Sequence, residues 1–153
     1  MSSVREYATF RLDDLLFAVD APEVLEVLPG ARVTPVPLSP PEVAGLVNVR
    51  GQVVTALDLR RRLGLPAAVP GATRMTVLVR SESELMAFLV DEIGNVVRVR
   101  EEEREAPPVH LDAALRSLVP GVYRLPEHLL HVLDVVEVSR PTATARAGAS
   151  HGG

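Results

Sequence analysis

Apolar and polar positions alternate along this chain in runs too short for long helices, and most of the runs have the length and period of strands. From Tyr7 to Val19 two apolar stretches flank Asp13 and Asp14, the pattern of a hairpin with a polar turn. Ala21 to Leu28 is open between a strand and a helical turn, because Val24, Val27 and Leu28 also have helical spacing. The segment GARVTPVPLSPPEV then loses backbone donors at Pro35, Pro37, Pro40 and Pro41, so it reads as an extended connection and not a central strand. Gly45 to Leu59 forms a second predicted hairpin, turning at Arg50, Gly51 and Gln52. Asp58 is placed to cap a short helix, LRRRLGL, which Gly64 and Pro66 stop.

Three further strands are predicted at Met75 to Arg80, Leu85 to Ile93 and Asn95 to Arg100, with a tight turn at Gly94 and Asn95. The acidic run Glu101 to Glu103 and the pair Pro107, Pro108 mark a loop, and a brief helix is expected around Leu111 to Leu118. Two last strands are expected at Gly121 to Leu125 and Leu129 to Val138. This makes about nine or ten short strands with turn signals about every 8 to 12 residues, an all-β chain with short helices that folds as barrels or a sandwich. One domain over residues 1–140 is the expectation, followed at 141–153 by a tail without apolar bulk that is expected to be disordered.

Composition narrows the function more than the fold. At 153 residues, 47% of them hydrophobic, the chain can bury a substantial core but is short for two independent domains. Without cysteine it has no disulfide, thiolate ligand or thiol nucleophile, which fits a reducing, cytoplasmic setting. The opening MSSVREYATF has neither the apolar stretch nor the cleavage site of a secretory signal, and charged residues or proline interrupt every hydrophobic run. A net charge of -4 with 3% aromatics disfavours a nucleic-acid surface, which needs a basic stripe and stacking platforms. Arg60, Arg61 and Arg62 are expected to form a solvated helix face.

Recognisable chemistry is sparse. No phosphate-binding glycine loop, dinucleotide fingerprint or nucleophile elbow occurs. The close histidines, His128 and His131, have an odd spacing that in a hairpin sends them to opposite faces, so no metal and no cofactor is expected. The adjacent carboxylates Asp13 with Asp14 and Asp91 with Glu92 read as turn and strand-end solvation. Two polar residues stand out. Arg50 lies in LVNVRGQVV and Glu26 in VLEVL, each flanked by apolar residues. They either form an ion pair, face solvent on opposite edges, or border an apolar groove that a partner covers.

These segments resemble one known family. GLVNVRGQVVTALDLRRRLGL looks like the G-x-x-N-x-R-G hairpin and following D-L helix of the CheW domain, the adaptor of bacterial chemotaxis arrays. LMAFLVDEIGNVV is similar to that family's V-D strand pair, and VPGVYRLPEHLLHVLDVVEV to its closing hairpin. The motif positions are Gly45, Asn48, Gly51, Asp58, Asp91 and Gly121. The resemblance implies two intertwined five-stranded SH3-like β-barrels sharing an apolar core, and a scaffold without catalytic activity. It implies, as partners, the cytoplasmic tip of methyl-accepting chemoreceptors and the regulatory domain of a CheA-type histidine kinase. Carried over by motif, the receptor groove would include Val24, Glu26, Arg50 and Val90. Kinase contact would involve Val53, and a second kinase-adaptor surface the loop from Arg104 to Val109. Thr55, Ala87 and Val109 depart from the residues usual at these places, which leaves a divergent adaptor that binds receptor but not kinase as the runner-up. A metal or small-molecule enzyme on a β-barrel and a nucleic-acid-binding barrel are the readings from other classes.

Overall fold

The computed structural model describes residues 3–140, so the expected tail at 141–153 lies outside the described residues. The chain opens with β1 (Val4–Leu12) and β2 (Leu15–Asp20), an antiparallel pair in register at Phe10 opposite Phe17. Asp13 supplies the left-handed turn residue between them, with φ 56°. The open segment after β2 is both things in succession: a 3-10 turn at Ala21–Glu23, started by Pro22, and then β3 (Val24–Pro29). The proline-rich connection leads to β4 (Val43–Val49) and β5 (Gln52–Asp58), and Asp58 caps α1 (Leu59–Arg62) by accepting from the Arg61 N–H. Next come β6 (Met75–Ser81), β7 (Glu84–Val90) and β8 (Glu92–Arg100). The last elements are α2 (Ala113–Arg116), β9 (Gly121–Arg124), β10 (Leu129–Val132) and α3 (Val135–Ser139).

The ten strands make two five-stranded sheets, ordered β8-β1-β2-β10-β9 and β3-β6-β7-β5-β4. The first sheet takes its strands from both ends of the chain and the second from the middle, so the two units are intertwined. Each sheet's edges are brought together by a bridge just beyond an edge strand. Thr34 pairs with Leu46 in one, Glu105 with Val122 in the other. Alternation along the strands then sorts the apolar side chains into three clusters. One sits inside the first barrel around Tyr7, Tyr123 and Leu130, and one inside the second around Val47, Val54 and Leu78. The largest lies between them, where Phe10 and Phe17 of the first sheet meet Val77 and Phe88 of the second. Each such side chain contributes about 1.5–3 kcal/mol on burial, so this shared cluster is what keeps the two barrels together.

Two sequence expectations fail here. The tight turn predicted at Gly94 and Asn95 does not form, and β7 and β8 are not a hairpin. The chain instead bends at Asp91 and crosses to the first sheet, where β8 pairs with β1. Gly94 lies within the strand because a Cβ there would run into the Thr9 side chain. Thr9 Oγ1 donates to the Asn95 carbonyl, and the β1 register shifts between Ala8 and Phe10 at the same level. The last predicted strand also ends early, at Val132. Asp134 accepts from the Glu137 N–H at 3.1 Å and starts α3, whose Val135 and Val138 turn into the shared core at helical spacing.

Candidate interaction surfaces

Arg50 and Gly51 form a two-residue loop closed by Val49 opposite Gln52, with φ 54° and 83° at the two loop positions. Both angles lie in the left-handed region that a type I′ hairpin requires. Gly51 adopts it freely, whereas Arg50 does so against its own Cβ. Asn48 holds the loop by accepting the Gly51 N–H on its Oδ1 at 2.9 Å. The hairpin thereby aims Arg50 across the seam between the sheet's edge strands, β4 and β3. Its Nε and Nη2 donate to Glu26 Oε1 and Oε2 at 2.9 and 2.7 Å. Of the alternatives open in the sequence, the ion pair is the one that forms. The Arg50 hydrogen bond holds the Glu26 carboxyl below its ordinary range, and Glu26 in turn raises the Arg50 guanidinium.

The pair is a surface feature, with the Arg50 side chain 78% exposed and that of Glu26 23%. Beside Glu26 the β3 register slips on β6, and Leu25 and Val27 stand exposed on the strand. Val24 is half-buried against the shared core. Val90, expected in the same groove, is fully buried in that core and meets no solvent. Farther along the seam, Thr34 and Leu46 exchange backbone hydrogen bonds at 2.8 Å each. Gly45, with φ 150°, permits that approach, since a Cβ there would run into the Thr34 carbonyl.

The residues expected to meet a kinase lie on different barrels. Val53 is exposed on β5, opposite Asn48 in the hairpin of the second barrel. Arg104 and Val109 belong to the loop that the Glu105–Val122 bridge fastens to the first barrel. The Arg104 side chain lies across Gly121, whose missing Cβ leaves it room. Val109 is 88% exposed, and its carbonyl accepts from Arg116 Nη1 at 2.9 Å.

The arginine run on α1 is not a solvated face. Arg60, only 14% exposed, donates from Nε and Nη2 to both oxygens of Asp91 at 2.9 and 2.6 Å and pairs through Nη1 with Asp13 at 2.8 Å. Asp91 also accepts the Asp13 N–H at 2.9 Å. Burial raises the Asp91 carboxyl, and the Arg60 and Asp13 hydrogen bonds with the charges of Arg60 and Arg74 outweigh it, leaving it below its ordinary value. Arg62 reaches the Val138 and Glu137 carbonyls at 2.8 Å each. Only Arg61 stands mostly in solvent, because a four-residue helix wedged between two barrels has little outer face. These contacts join α1 to the β1–β2 turn, the Asp91 crossover and α3. Asp58, besides capping α1, takes both terminal nitrogens of Arg74 at 2.8 and 3.3 Å.

His131 is buried, donates from Nδ1 to the Leu16 carbonyl at 3.0 Å and leans on the Phe17 ring, while His128 is exposed beside Arg11. Among the described residues no group of three His, Cys, Asp or Glu is arranged to hold a metal, and no helix is long and apolar enough to cross a membrane.

Comparison with known proteins agrees with this architecture. The model of the CheW-like domain family matches residues 6–141. Chemotaxis protein CheW of Rhizobium meliloti is 28% identical over 134 residues, 88% of this chain and 86% of that protein. Protein FrzA of Myxococcus xanthus is 32% identical over 148 residues, covering 93% and 91%. The crystal structure of the scaffolding protein TtCheW from Thermoanaerobacter tengcongensis superposes with a TM-score of 0.80 at 20% identity, over 92% of this chain and 99% of that one.

Proposed function

Because the chain belongs to the CheW-like domain family, we propose that it is a non-catalytic chemotaxis adaptor that couples chemoreceptors to a CheA-type histidine kinase. The relatives named chemotaxis protein CheW and the fold shared with a scaffolding protein support this. The observation that carries the finer reading is the hairpin at Arg50. It holds a strained arginine in an exposed bidentate pair with Glu26, on an edge strand whose Leu25 and Val27 stand uncovered on its other face. An edge strand with a polar pair on one side and exposed aliphatic side chains on the other suits a helical partner that buries apolar side chains and takes a hydrogen bond at its margin. In this reading the cytoplasmic tip of a receptor docks on β3 and the β4–β5 hairpin through Val24, Glu26 and Arg50, with Val90 supporting the surface from the core. The kinase's regulatory domain meets Val53 on the second barrel and the Arg104 to Val109 loop on the first. The adaptor works in the cytoplasm, held at membrane-associated receptor arrays by its partners.

The test is a pull-down of each partner separately, a receptor signalling fragment and the kinase's regulatory domain. Binding to both is the expected result, and binding to neither overturns the proposal. A second reading rests on Val109, an aliphatic side chain almost fully in solvent where a larger aromatic surface would strengthen a kinase contact. Receptor binding without kinase binding selects that reading, an adaptor that limits array growth.

A further inference from the structure

Two nearly uncharged loops meet at the mouth of the second barrel. Residues 30–41, after β3, hold one charged residue, Arg32, and residues 63–73, after α1, hold none, in a chain of which 24% is charged. The mouth they border measures about 540 Å³ and is walled by Val33, Pro35, Ala44, Ala72 and Leu89. Arg74, in the same lining, is neutralised by Asp58 at 2.8 Å. Close to the mouth the chain turns at Pro37 and Leu38, where the Ser39 N–H and hydroxyl both donate to the Val36 carbonyl, at 3.4 and 2.8 Å. Leu38 stands entirely in solvent with φ 64°. We propose that this face is a self-association surface, on which Leu38 of each chain enters the barrel mouth of a second copy.

A turn with proline at its first corner and a left-handed residue at its second favours glycine or asparagine there. Leucine is strained in that place by its own Cβ, and no burial within the chain offsets the strain, since the whole side chain meets water. Asp13, Arg50 and Glu82, the other described residues apart from glycine with positive φ, are all polar. What accounts for an aliphatic side chain in this position is a contact outside the chain. The loop that carries it is rigid. Thr34 is bridged to Leu46, the Val43 N–H donates to the Pro40 carbonyl at 2.9 Å, and four prolines lie between, so little freedom is lost on docking.

The partner is a second copy because one face supplies both halves of the contact. Pro35 lines the mouth and Leu38 follows three residues later, no more than about 10 Å away. A two-fold axis beside them sets each leucine against the other copy's mouth. Exposed Val36 adds apolar area on one lip, and on the other exposed Val69, whose carbonyl accepts the Ala72 N–H at 3.0 Å. A net charge of -4 opposes self-association in general, and on these loops charge is nearly absent.

The test is sedimentation velocity of the full chain between about 10 μM and about 1 mM, because a contact of this size belongs with weak, transient interfaces. The weight-average mass should rise toward that of two chains across the range, with concentration-dependent proton–nitrogen NMR shifts at the amides of Leu38, Ala44, Val69 and Ala72. Leu38→Asn removes the inserted side chain and suits the left-handed corner, so it should stay monomeric throughout without a lower melting temperature. Ala72→Glu sets a charge on the exposed lip of the mouth and should weaken association at least about tenfold. A chain that is monomeric at about 1 mM, shifts confined to other surfaces, or association unchanged in either variant overturns the proposal. So does a monomeric chain in which Leu38→Asn instead loses a receptor fragment or a kinase domain, which would give the leucine to a different partner.

Discussion

Replacing Arg60 with alanine tests whether the contact between α1 and the two barrel elements is structural, and its pH dependence makes the test sharp. The side chain is 14% exposed and its two partners, Asp13 and Asp91, are 35% and 23% exposed, so the contact is neither a free surface pair nor fully dry. Removing one member of a buried pair costs about 3–5 kcal/mol, and the partial solvation of both carboxylates lowers the expectation to about 2–3 kcal/mol. At about 3 °C per kcal/mol for a chain of this size, the melting temperature should fall by roughly 6–9 °C. Arg60 lowers the Asp91 carboxyl, so in the unaltered protein this group contributes stability above its unfolded pKa of about 3.9 and loses it as pH falls through the lower folded value. In Arg60→Ala the effect of burial is left with less to oppose it, and the Asp91 carboxyl rises. The penalty of the substitution should therefore be full at pH 7 and shrink as pH falls through the carboxylate range, because protonation relieves the stranded charge. Urea unfolding followed by circular dichroism at several pH values measures both terms, and Arg61→Ala, on the exposed position of the same helix, should stay within about 0.5 kcal/mol. A penalty below about 1 kcal/mol, or one unchanged between pH 7 and pH 4, would refute the account and leave Arg60 only the packing of its stem.

At the hairpin, Arg50→Ala should weaken receptor binding about tenfold or more while leaving the melting temperature nearly unchanged, since the pair is exposed and the left-handed turn does not depend on the guanidinium. Calorimetric binding to a receptor fragment beside a melting curve separates the two effects, and intact binding counts against the proposed surface. Gly45→Ala should lose about 2–4 kcal/mol, because the new Cβ runs into the Thr34 carbonyl and breaks the bridge that joins the sheet's edges; denaturant unfolding gives the value. Asp58→Ala removes the cap of α1 and the partner of Arg74 together, with an expected cost of about 2–4 kcal/mol on the same assay.

Local signals explain what was legible in the sequence. Strand period and turn chemistry act over a few residues, so the hairpins at Asp13 and Arg50 and the cap at Asp58 could be placed without tertiary information. The crossover at Asp91 could not. It depends on an arginine on α1 and on the Asp13 N–H, contacts that exist only once both barrels are assembled. Gly94 and Asn95 carry the composition of a turn, yet Gly94 is there to let β8 pass Thr9, a close approach that has no local trace. At α3 the signal was present but outweighed: Asp134 followed three residues later by Glu137 is a helix start, while the valines around them favour a strand. For the candidate surface, the motif brought out Glu26 and Arg50 but also Val90, because motif spacing cannot separate a residue that faces a partner from one that packs beneath it. The exposed Leu25 and Val27 were missed because a slip in strand register decides which side of β3 faces out.

The position of the Arg60 contact also bears on how an adaptor transmits anything. On the proposed reading, the receptor surface lies on the second barrel, while the Arg104 to Val109 loop is fastened to the first through Glu105 and Val122. A receptor displacement of the second barrel reaches that loop through what joins the barrels: the shared core, the two chain crossovers at Ala21–Glu23 and Asp91, and the side chains of Arg60 and Arg62. Apolar packing resists separation but is non-directional and tolerates small rotations, whereas a bidentate arginine holds both the angle and the distance of its carboxylate. Arg60→Ala, studied well below its melting temperature, should therefore bind each partner with nearly the affinity of the unaltered chain, because none of its contacts belongs to either surface. In a reconstituted assembly of receptor, kinase and adaptor it should nevertheless pass on less of the receptor's control over kinase activity. Unimpaired control in that assembly would mean either that the shared core and the chain crossovers hold the barrels as one rigid body or that control passes through the kinase contact at Val53 on the second barrel, and in both cases would reduce the arginine to a contribution to stability.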